Sequence, residues 1–481
     1  MIVWMSQNLY LVIGAVVVLF EIVGITMAAN AIMRTRTSQG AIAWAIGLIT
    51  FPYVAVPLYL IFGRHKFEGY IKARKFKIHD LNPVVQTLVT QAPEFRADLD
   101  SSNQRYAALE RLAIMPFTHS NSARLLIDGD ATFSAIFSGI ESAEKYIIAQ
   151  YYIIKDDDIG REFKNRLIKK ARTGVQVFLL YDEIGCLQLP STYIQNLRDA
   201  GVEVQAFRGS RKRANRFQLN FRNHRKLVLI DGRKAYIGGL NVGDEYLSRD
   251  PKFGHWRDTH LEVTGPAVQC LQLAFMEDWY SSVNRILELE WTPAAVSDEN
   301  RNMLILPTGP ADEFETCSLF FLHCINRAYD RIWIASPYFV PDSPIVKALK
   351  LAALRGVDVR LLLPEKADHK LVYMASFSYL DETEPAGVRV FRYQPGFLHY
   401  KALLVDDDLS AVGTANLDNR SFRLNFEMMA VVADHEFAGQ LESMFQQDFN
   451  RSQEAHVEDL TNRPLWFRVG AQTARLFSPL L

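Results

Sequence analysis

Two unbroken apolar stretches open the chain, residues 9–33 and 41–62, and Glu21 is the one charged side chain in them. Each is long enough to cross a ~30 Å hydrocarbon core as a helix. The pattern therefore predicts a two-helix transmembrane hairpin over residues 1–63, kinked in its second arm at Pro52 and Pro57, with Glu21 facing the partner helix. The first stretch has no basic leader and is too long for a signal-peptide core. Residues 64–121 turn polar and mixed, broken by Pro83, Pro93 and Pro116, and read as a juxtamembrane linker of short helices or solvated chain.

From Ser122 onward, short apolar runs alternate with helical stretches, and the series occurs twice. I-A-Q-Y-Y at 148–152 matches I-A-S-P-Y at 334–338, G-V-Q-V-F-L-L at 174–180 matches G-V-D-V-R-L-L at 356–362, and G-V-E-V at 201–204 matches G-V-R-V at 387–390. Helical periodicity covers 159–172 and 343–354. Such alternation predicts an α/β fold with mixed sheets between helices, built as two similar domains over 122–290 and 301–460 with a hinge at 291–300. The tail, 461–481, mixes Trp466, Phe467, Leu476 and Phe477 with Arg463, Arg468 and Arg475. It suits an interfacial anchor or packing on the second domain.

Charge sharpens this picture. The 481 residues are 49% hydrophobic with net charge −1, an ordinary folded composition with no global bias toward polyanions and room for about three domains. Cys186, Cys270, Cys317 and Cys324 lack C-x-x-C spacing and are expected to be reduced. Near the apolar stretches, the leader has no Lys or Arg, the short loop has Arg34 and Arg36, and Arg64, Lys66, Lys72, Arg74, Lys75 and Lys77 follow. With two spans, six positive residues stand against two, which places the body of the chain in the cytoplasm. Residues 208–226 hold eight Lys or Arg and no acid. A solvated loop and a nucleic-acid contact both fit that run, but beside a membrane hairpin anionic lipid is the nearer polyanion.

The candidate chemistry lies in a repeated motif. H-R-K-L-V-L-I-D-G-R-K-A-Y-I-G-G-L-N, beginning at His224, recurs 175 residues later as H-Y-K-A-L-L-V-D-D-D-L-S-A-V-G-T-A-N, beginning at His399. Both obey H-x-K-x4-D-x6-G-[GT]-x-N. On a strand, positions i and i+2 share a face, so His224 with Lys226 and His399 with Lys401 each present an imidazole beside an ammonium. Asp231-Gly232 reads as a hairpin turn. Gly238-Gly239 and Gly413-Thr414 read as small-residue loops where backbone approaches a ligand, with Asn241 and Asn416 as directed donors. Lysine charge, an amide donor and a nucleophilic or proton-moving imidazole together suit a phosphate.

The doubled motif resembles the signature of the phospholipase D superfamily over most of the chain after residue 120. With the apolar N-terminus, the chain resembles the bacterial cardiolipin synthases within it. That resemblance implies two phospholipase D-like domains whose motifs, with catalytic residues His224, Lys226, Asp231, His399, Lys401 and Asp406, meet in one site. It implies phosphatidyl transfer between two phosphatidylglycerol molecules through a phosphohistidine, with His224 as nucleophile and His399 as acid and base. Asn241 and Asn416 would bind phosphate, and no metal or cofactor is called for. The expected partners are phosphatidylglycerol, other anionic phospholipids and the bacterial inner membrane, not nucleic acid. A hydrolytic phospholipase D, a tethered nuclease and a non-enzymatic lipid-binding scaffold are the rival readings. Asp231 and Asp406 begin turns ~23 Å along the strand from their histidines, so they are expected to be structural. Asp258 and Glu427 occupy corresponding places in the two halves. They are expected to orient the imidazoles of His224 and His399 respectively.

Overall fold

The computed structural model describes residues 9–35, 37–63, 93–99, 104–207, 220–296, 299–366 and 368–481. Much of the linker expected over 64–121, and the basic run from Arg208 to residue 219, lie outside the described residues. The described part of the linker contains the helix Gln104–Ala113. The chain forms two compact units, Met1–Tyr70 with Gly209–Phe221, and Ile71–Arg208 with Arg222–Leu481.

In the first unit the helix Leu9–Arg34 runs 26 residues, ~39 Å at 1.5 Å per residue, and is long and apolar enough to cross a membrane. Its buried positions are the small residues Gly24, Ala28 and Ala31. A Cβ on Gly24 would lie 2.4 Å from the Leu48 carbonyl oxygen, so glycine sets this close approach. The second apolar stretch is not one kinked helix. Ser38–Thr50 ends, Phe51 takes φ −135° and ψ 57°, and Pro52–Phe62 begins with proline in the first helical turn, where an amide hydrogen has no helical partner to lose. Trp44 meets Tyr59 at 5.1 Å, a Cβ on Gly47 would touch that of Ala55 at 3.7 Å, and the Tyr59 hydroxyl donates to Asn30 Oδ1 at 3.1 Å. The stretch doubles back on itself at Phe51. Glu21 does not face a partner helix but is exposed, because the packed stripe is confined to the small residues nearer the loop. Leu11, Leu19, Ile22, Ile25 and Ile32 are more than half exposed around it, an apolar surface of the kind that lipid covers.

In the second unit each half builds the same mixed sheet. Outward from the centre, the first half orders Thr118–Ile127, Thr259–Thr264, Lys234–Gly238, Leu227–Ile230, Tyr146–Tyr151, Gln176–Asp182 and Glu203–Phe207. The second orders Arg301–Thr308, Asn425–Ala433, Leu409–Gly413, Ala402–Val405, Arg331–Ala335, Asp358–Pro364 and Arg389–Tyr393, and adds Ser452–Ala455 at its edge. Thr118–Ile127 pairs antiparallel with Arg301–Thr308, which merges the two sheets about the pseudo-twofold. Leu227–Ile230 and Ala402–Val405, inside the two halves, are apolar and buried throughout, as strands covered on both faces are. The helix Asp158–Arg172 shows why such segments form where they do. Asp157 caps it by accepting from Gly160 N at 3.0 Å, Ile159, Phe163 and Leu167 bury one face, and Lys169, Lys170 and Arg172 oppose the dipole at its end. Burial of each such apolar side chain stabilises by about 1.5–3 kcal/mol. Gly174 and Gly356 both take φ near +90° (93° and 91°) just before matching strands, a turn that disfavours any Cβ. The tail helix Leu465–Leu476 packs on the second half, with Phe467 against Phe377 at 5.5 Å and Arg475 paired to Glu382 at 2.6 Å. Its outer side leaves Leu465 and Trp466 exposed.

Candidate active site

His224 follows the two-residue strand Arg222–Asn223, and His399 follows Gly396–Leu398. Neither short strand belongs to its own half's ladder. Arg222–Asn223 runs parallel to the start of Asn425–Ala433, pairing Asn223 with Phe426, and His224 N donates to Phe426 O at 2.9 Å. Gly396–Leu398 runs parallel to His255–Arg257, and His399 N donates to Arg257 O at 2.8 Å. Only from Leu227 and Ala402 does the chain join its own sheet. The His-x-Lys segments are therefore irregular bridges between halves, not the continuous strands that the spacing suggested.

This pairing corrects the expected partners of the imidazoles. His224 Nδ1 lies 2.9 Å from Glu427 Oε2, and His399 Nδ1 lies 2.9 Å from Asp258 Oδ2. The carboxylates are the anticipated ones, but they are exchanged between halves. Asn223 pairs with Phe426 and Leu398 with Arg257, so the next step in each parallel register sets His224 against Glu427 and His399 against Asp258. Asp258 also accepts from Trp256 Nε1 at 3.3 Å and Thr259 N at 2.8 Å. Glu427 accepts from Thr414 Oγ1 at 2.6 Å, Ser421 Oγ at 2.8 Å and Asn425 Nδ2 at 3.1 Å.

The small-residue loop serves a different purpose from the one expected of it. A Cβ on Gly239 would lie 2.1 Å from Asp258 Oδ1, so glycine there makes room for the carboxylate, not for a ligand. In the other copy Thr414 stands in that place and gives its hydroxyl to Glu427. Asp231 sits in its turn at φ 51° and accepts from the backbone N–H groups of Glu144, Lys145 and Tyr146 at 2.7–2.8 Å. Asp406, at φ 52°, does the same for Tyr329, Asp330 and Arg331 at 2.8–3.2 Å. Neither reaches an imidazole. Asn241 accepts from Ile153 N at 3.1 Å and donates to the Tyr246 hydroxyl at 3.0 Å, while Asn416 Oδ1 is buried with no hydrogen-bond partner among the described residues.

Burial governs the electrostatics. It pulls both imidazoles down to about 4, outweighing the carboxylate beside each, and the neighbouring Lys401 pushes His399 the same way. The ammonium of Lys226 is fully buried and donates to His224 O at 2.7 Å, and burial lowers it well below the usual lysine range. Lys401, which lies 3.0 Å from His399 Nδ1 and 3.1 Å from Nε2, falls to about 8 for the same reason. Burial opposes ionisation of Asp258, but the hydrogen bond and charge of His399 overcome it and hold the carboxyl near 2. At neutral pH the site thus contains neutral imidazoles backed by ionised carboxylates.

Other residues around this centre were given no role by sequence reasoning. The Tyr152 ring stands edge-on to His224 at 4.9 Å, and Trp256 and Phe397 flank His399 at 5.2 and 5.8 Å. Arg225 joins Asp278 at 2.8 Å and reaches Glu427 O and Thr308 O at 3.0 and 3.2 Å, while Arg257 joins Asp448 at 2.8 Å. These buried guanidiniums tie the halves together.

Two H-x-K motifs from two halves of one chain, each imidazole held by the opposite half's carboxylate, define a phospholipase D-like protein with a single composite site. The family model described as "Cardiolipin synthase, PLD-like domain" matches residues 136–263 and 321–449, and one described as "Phospholipase_D-nuclease N-terminal" matches residues 11–64. Cardiolipin synthase A of Pseudomonas fluorescens is 46% identical over 475 residues, covering 98% of each chain. Its namesake in Pseudomonas putida (strain GB-1) is 48% identical over 471 residues, 97% of this chain and 98% of that one. The phosphatidylserine synthase of Haemophilus influenzae Rd KW20 shares the fold, with TM-score 0.61 over 79% of this chain and 100% of its own at 15% identity. The chain belongs to the cardiolipin synthase family of phospholipase D-like enzymes.

Proposed function

We propose that this enzyme transfers a phosphatidyl group from one phosphatidylglycerol to another, giving cardiolipin and glycerol. His224 Nε2 attacks the donor's phosphorus, and the bond to the glycerol oxygen breaks as His399 supplies its proton. His399 then takes the proton from the acceptor's glycerol hydroxyl, whose oxygen displaces His224 from phosphorus. Each Nδ1 is engaged by a carboxylate, which leaves Nε2 as the reactive nitrogen and stabilises the cation formed in turn on each ring. The observation that carries this reading is that crossed pair of imidazole–carboxylate contacts in one buried centre. An arriving phosphodiester anion offsets the burial that keeps His399 neutral, so the acid form arises with substrate in place. Lys226 and Lys401 neutralise charge on the phosphoryl oxygens, and Asn241 and Asn416 are assigned to phosphate binding. Asp231 and Asp406 hold the turns behind it. We take 122–290 and 301–460 as the two domains and place them on the cytoplasmic face of the inner membrane, on the strength of the Lys and Arg that follow the apolar segments.

Purified protein given labelled phosphatidylglycerol tests this directly. Cardiolipin with equimolar glycerol is the expected outcome. Phosphatidic acid alone would make the enzyme a hydrolase, and absence of turnover would overturn the reading.

A further inference from the structure

The site is symmetric in its motifs but not in its charge. Counting from each histidine, Arg222 occupies the place that Phe397 has in the other half. Counting from each asparagine, Arg420 occupies the place of Glu245. Arg222 is fixed by strand pairing to Asn425, two residues ahead of His224. Arg420 is fixed by its N–H to Leu481 O at 3.0 Å and its Nη1 to Leu480 O at 3.1 Å. Both converge on Tyr152, whose hydroxyl hydrogen-bonds Arg222 and whose ring edge meets His224. The two guanidiniums are near enough for Arg222 to add to burial in lowering Arg420. The matching tyrosine of the other half, Tyr338, instead donates to Asp368, so an anion is welcome at one end of the site and repelled at the other.

We propose that Arg222 and Arg420, gathered at Tyr152 beside His224, bind the phosphodiester of the acceptor lipid, one glycerol away from the phosphorus in transfer. The subsite rests on the transfer reading above and explains acceptor choice: an anionic phosphatidylglycerol gains two guanidinium contacts that water or a neutral alcohol does not. The test is a competition, with labelled phosphatidylglycerol in mixed micelles containing 1-butanol and cardiolipin counted against phosphatidylbutanol. In the Arg222→Gln/Arg420→Gln enzyme the ratio of the two products falls at least tenfold through a raised KM for the acceptor lipid, and Lys at both positions restores most of it. A ratio that stays at the wild-type value overturns the subsite. Should the double variant fail to fold, Arg222→Gln alone, which leaves the contacts of Arg420 intact, is expected to lower the ratio, and no change refutes the idea. Wild-type protein that makes phosphatidylbutanol but never cardiolipin would sink the transfer reading itself.

A separate observation concerns the membrane unit. Ser38–Thr50 and Pro52–Phe62 have 13 and 11 residues, ~20 and ~17 Å, and neither spans a ~30 Å core. The chain descends from the loop at Thr37 to the level of Gly24, where Leu48 and Pro52 lie against it, and returns until Tyr59 reaches Asn30. We infer that the second apolar segment is re-entrant and that the chain crosses the membrane once, through Leu9–Arg34. All eight basic residues flanking the apolar segments then share the cytoplasmic side and the uncharged leader lies outside, a cleaner division than six against two. Ser6→Cys should react with an impermeant maleimide in intact spheroplasts, while a cysteine added after Leu481 should not. Labelling of Ser6→Cys only after permeabilisation would restore two crossings. A phosphatase active only in the periplasm, fused to the N-terminus, reads the same question without the cysteine.

Discussion

Asp258→Asn should damage turnover far more than Glu427→Gln, although the two carboxylates hold equivalent places. Both changes remove a buried negative charge beside an imidazole. They differ in what the new amide group meets. Asp258 accepts from Thr259 N on one oxygen and from His399 Nδ1 and Trp256 Nε1 on the other. Thr259 N and Trp256 Nε1 are obligate donors. An asparagine amide must therefore either oppose the Thr259 N–H or turn toward His399 and force its proton onto Nε2. Around Glu427 the environment can yield. The glutamine amide can take the Oε1 side, facing the Ser421 hydroxyl, which rotates, and Asn425, whose own Oδ1 is buried without a partner among the described residues and can flip to accept. The oxygen then remains on His224 and Thr414. The difference is about one unsatisfied buried donor, ~1–3 kcal/mol, or roughly a hundredfold at 1.36 kcal/mol per decade. Loss of a tautomer-fixing carboxylate costs ~10⁴ in kcat in a comparable triad. We expect a loss of about that size for Asp258→Asn and ~10² for Glu427→Gln, measured by single-turnover transfer from labelled phosphatidylglycerol with folding verified by circular dichroism. Equal losses, or a worse one in Glu427→Gln, would refute the reasoning.

His224→Ala and His399→Ala are each expected to abolish transfer, because nucleophile and proton shuttle act as a unit; near-normal product from either, quantified by thin-layer chromatography, would break the composite site. Asp231→Asn and Asp406→Asn should lower the thermal midpoint by weakening three charge-assisted contacts each, about 2 kcal/mol or more, while turnover per folded molecule stays within a few-fold. His224, His399 and His260 all fall to about 4 in the fold from an ordinary 6.5, with burial the leading cause. As pH drops below 6.5 the unfolded chain takes up protons that the folded chain refuses, so stability should decline steadily toward pH 4, by up to ~3 kcal/mol per imidazole. The depressed Asp258 adds a further loss below pH 3.8, and a thermal midpoint unchanged from pH 7 to 4.5 would contradict this.

Sequence alone determined the duplication, the alternating α/β pattern and the identity of the central groups. These are properties of spacing and periodicity, and two copies of an eighteen-residue pattern leave little freedom. It also pointed to the two carboxylates that meet the imidazoles and to the turn positions of Asp231 and Asp406, because a residue that opens a turn is far from one that enters the strand. Tertiary structure decided which carboxylate serves which histidine. Counting along the chain is blind to the choice, since 34 and 28 residues separate each pair within a half, and only the short parallel pairings across the halves bring Phe426 beside Asn223 and Arg257 beside Leu398. It decided too that Gly239 makes room for Asp258, which no local pattern encodes. Hydropathy counted two segments of spanning length, but the reversal at Phe51 depends on where the second segment packs against the first, a contact between Leu48 and Gly24 that composition cannot show.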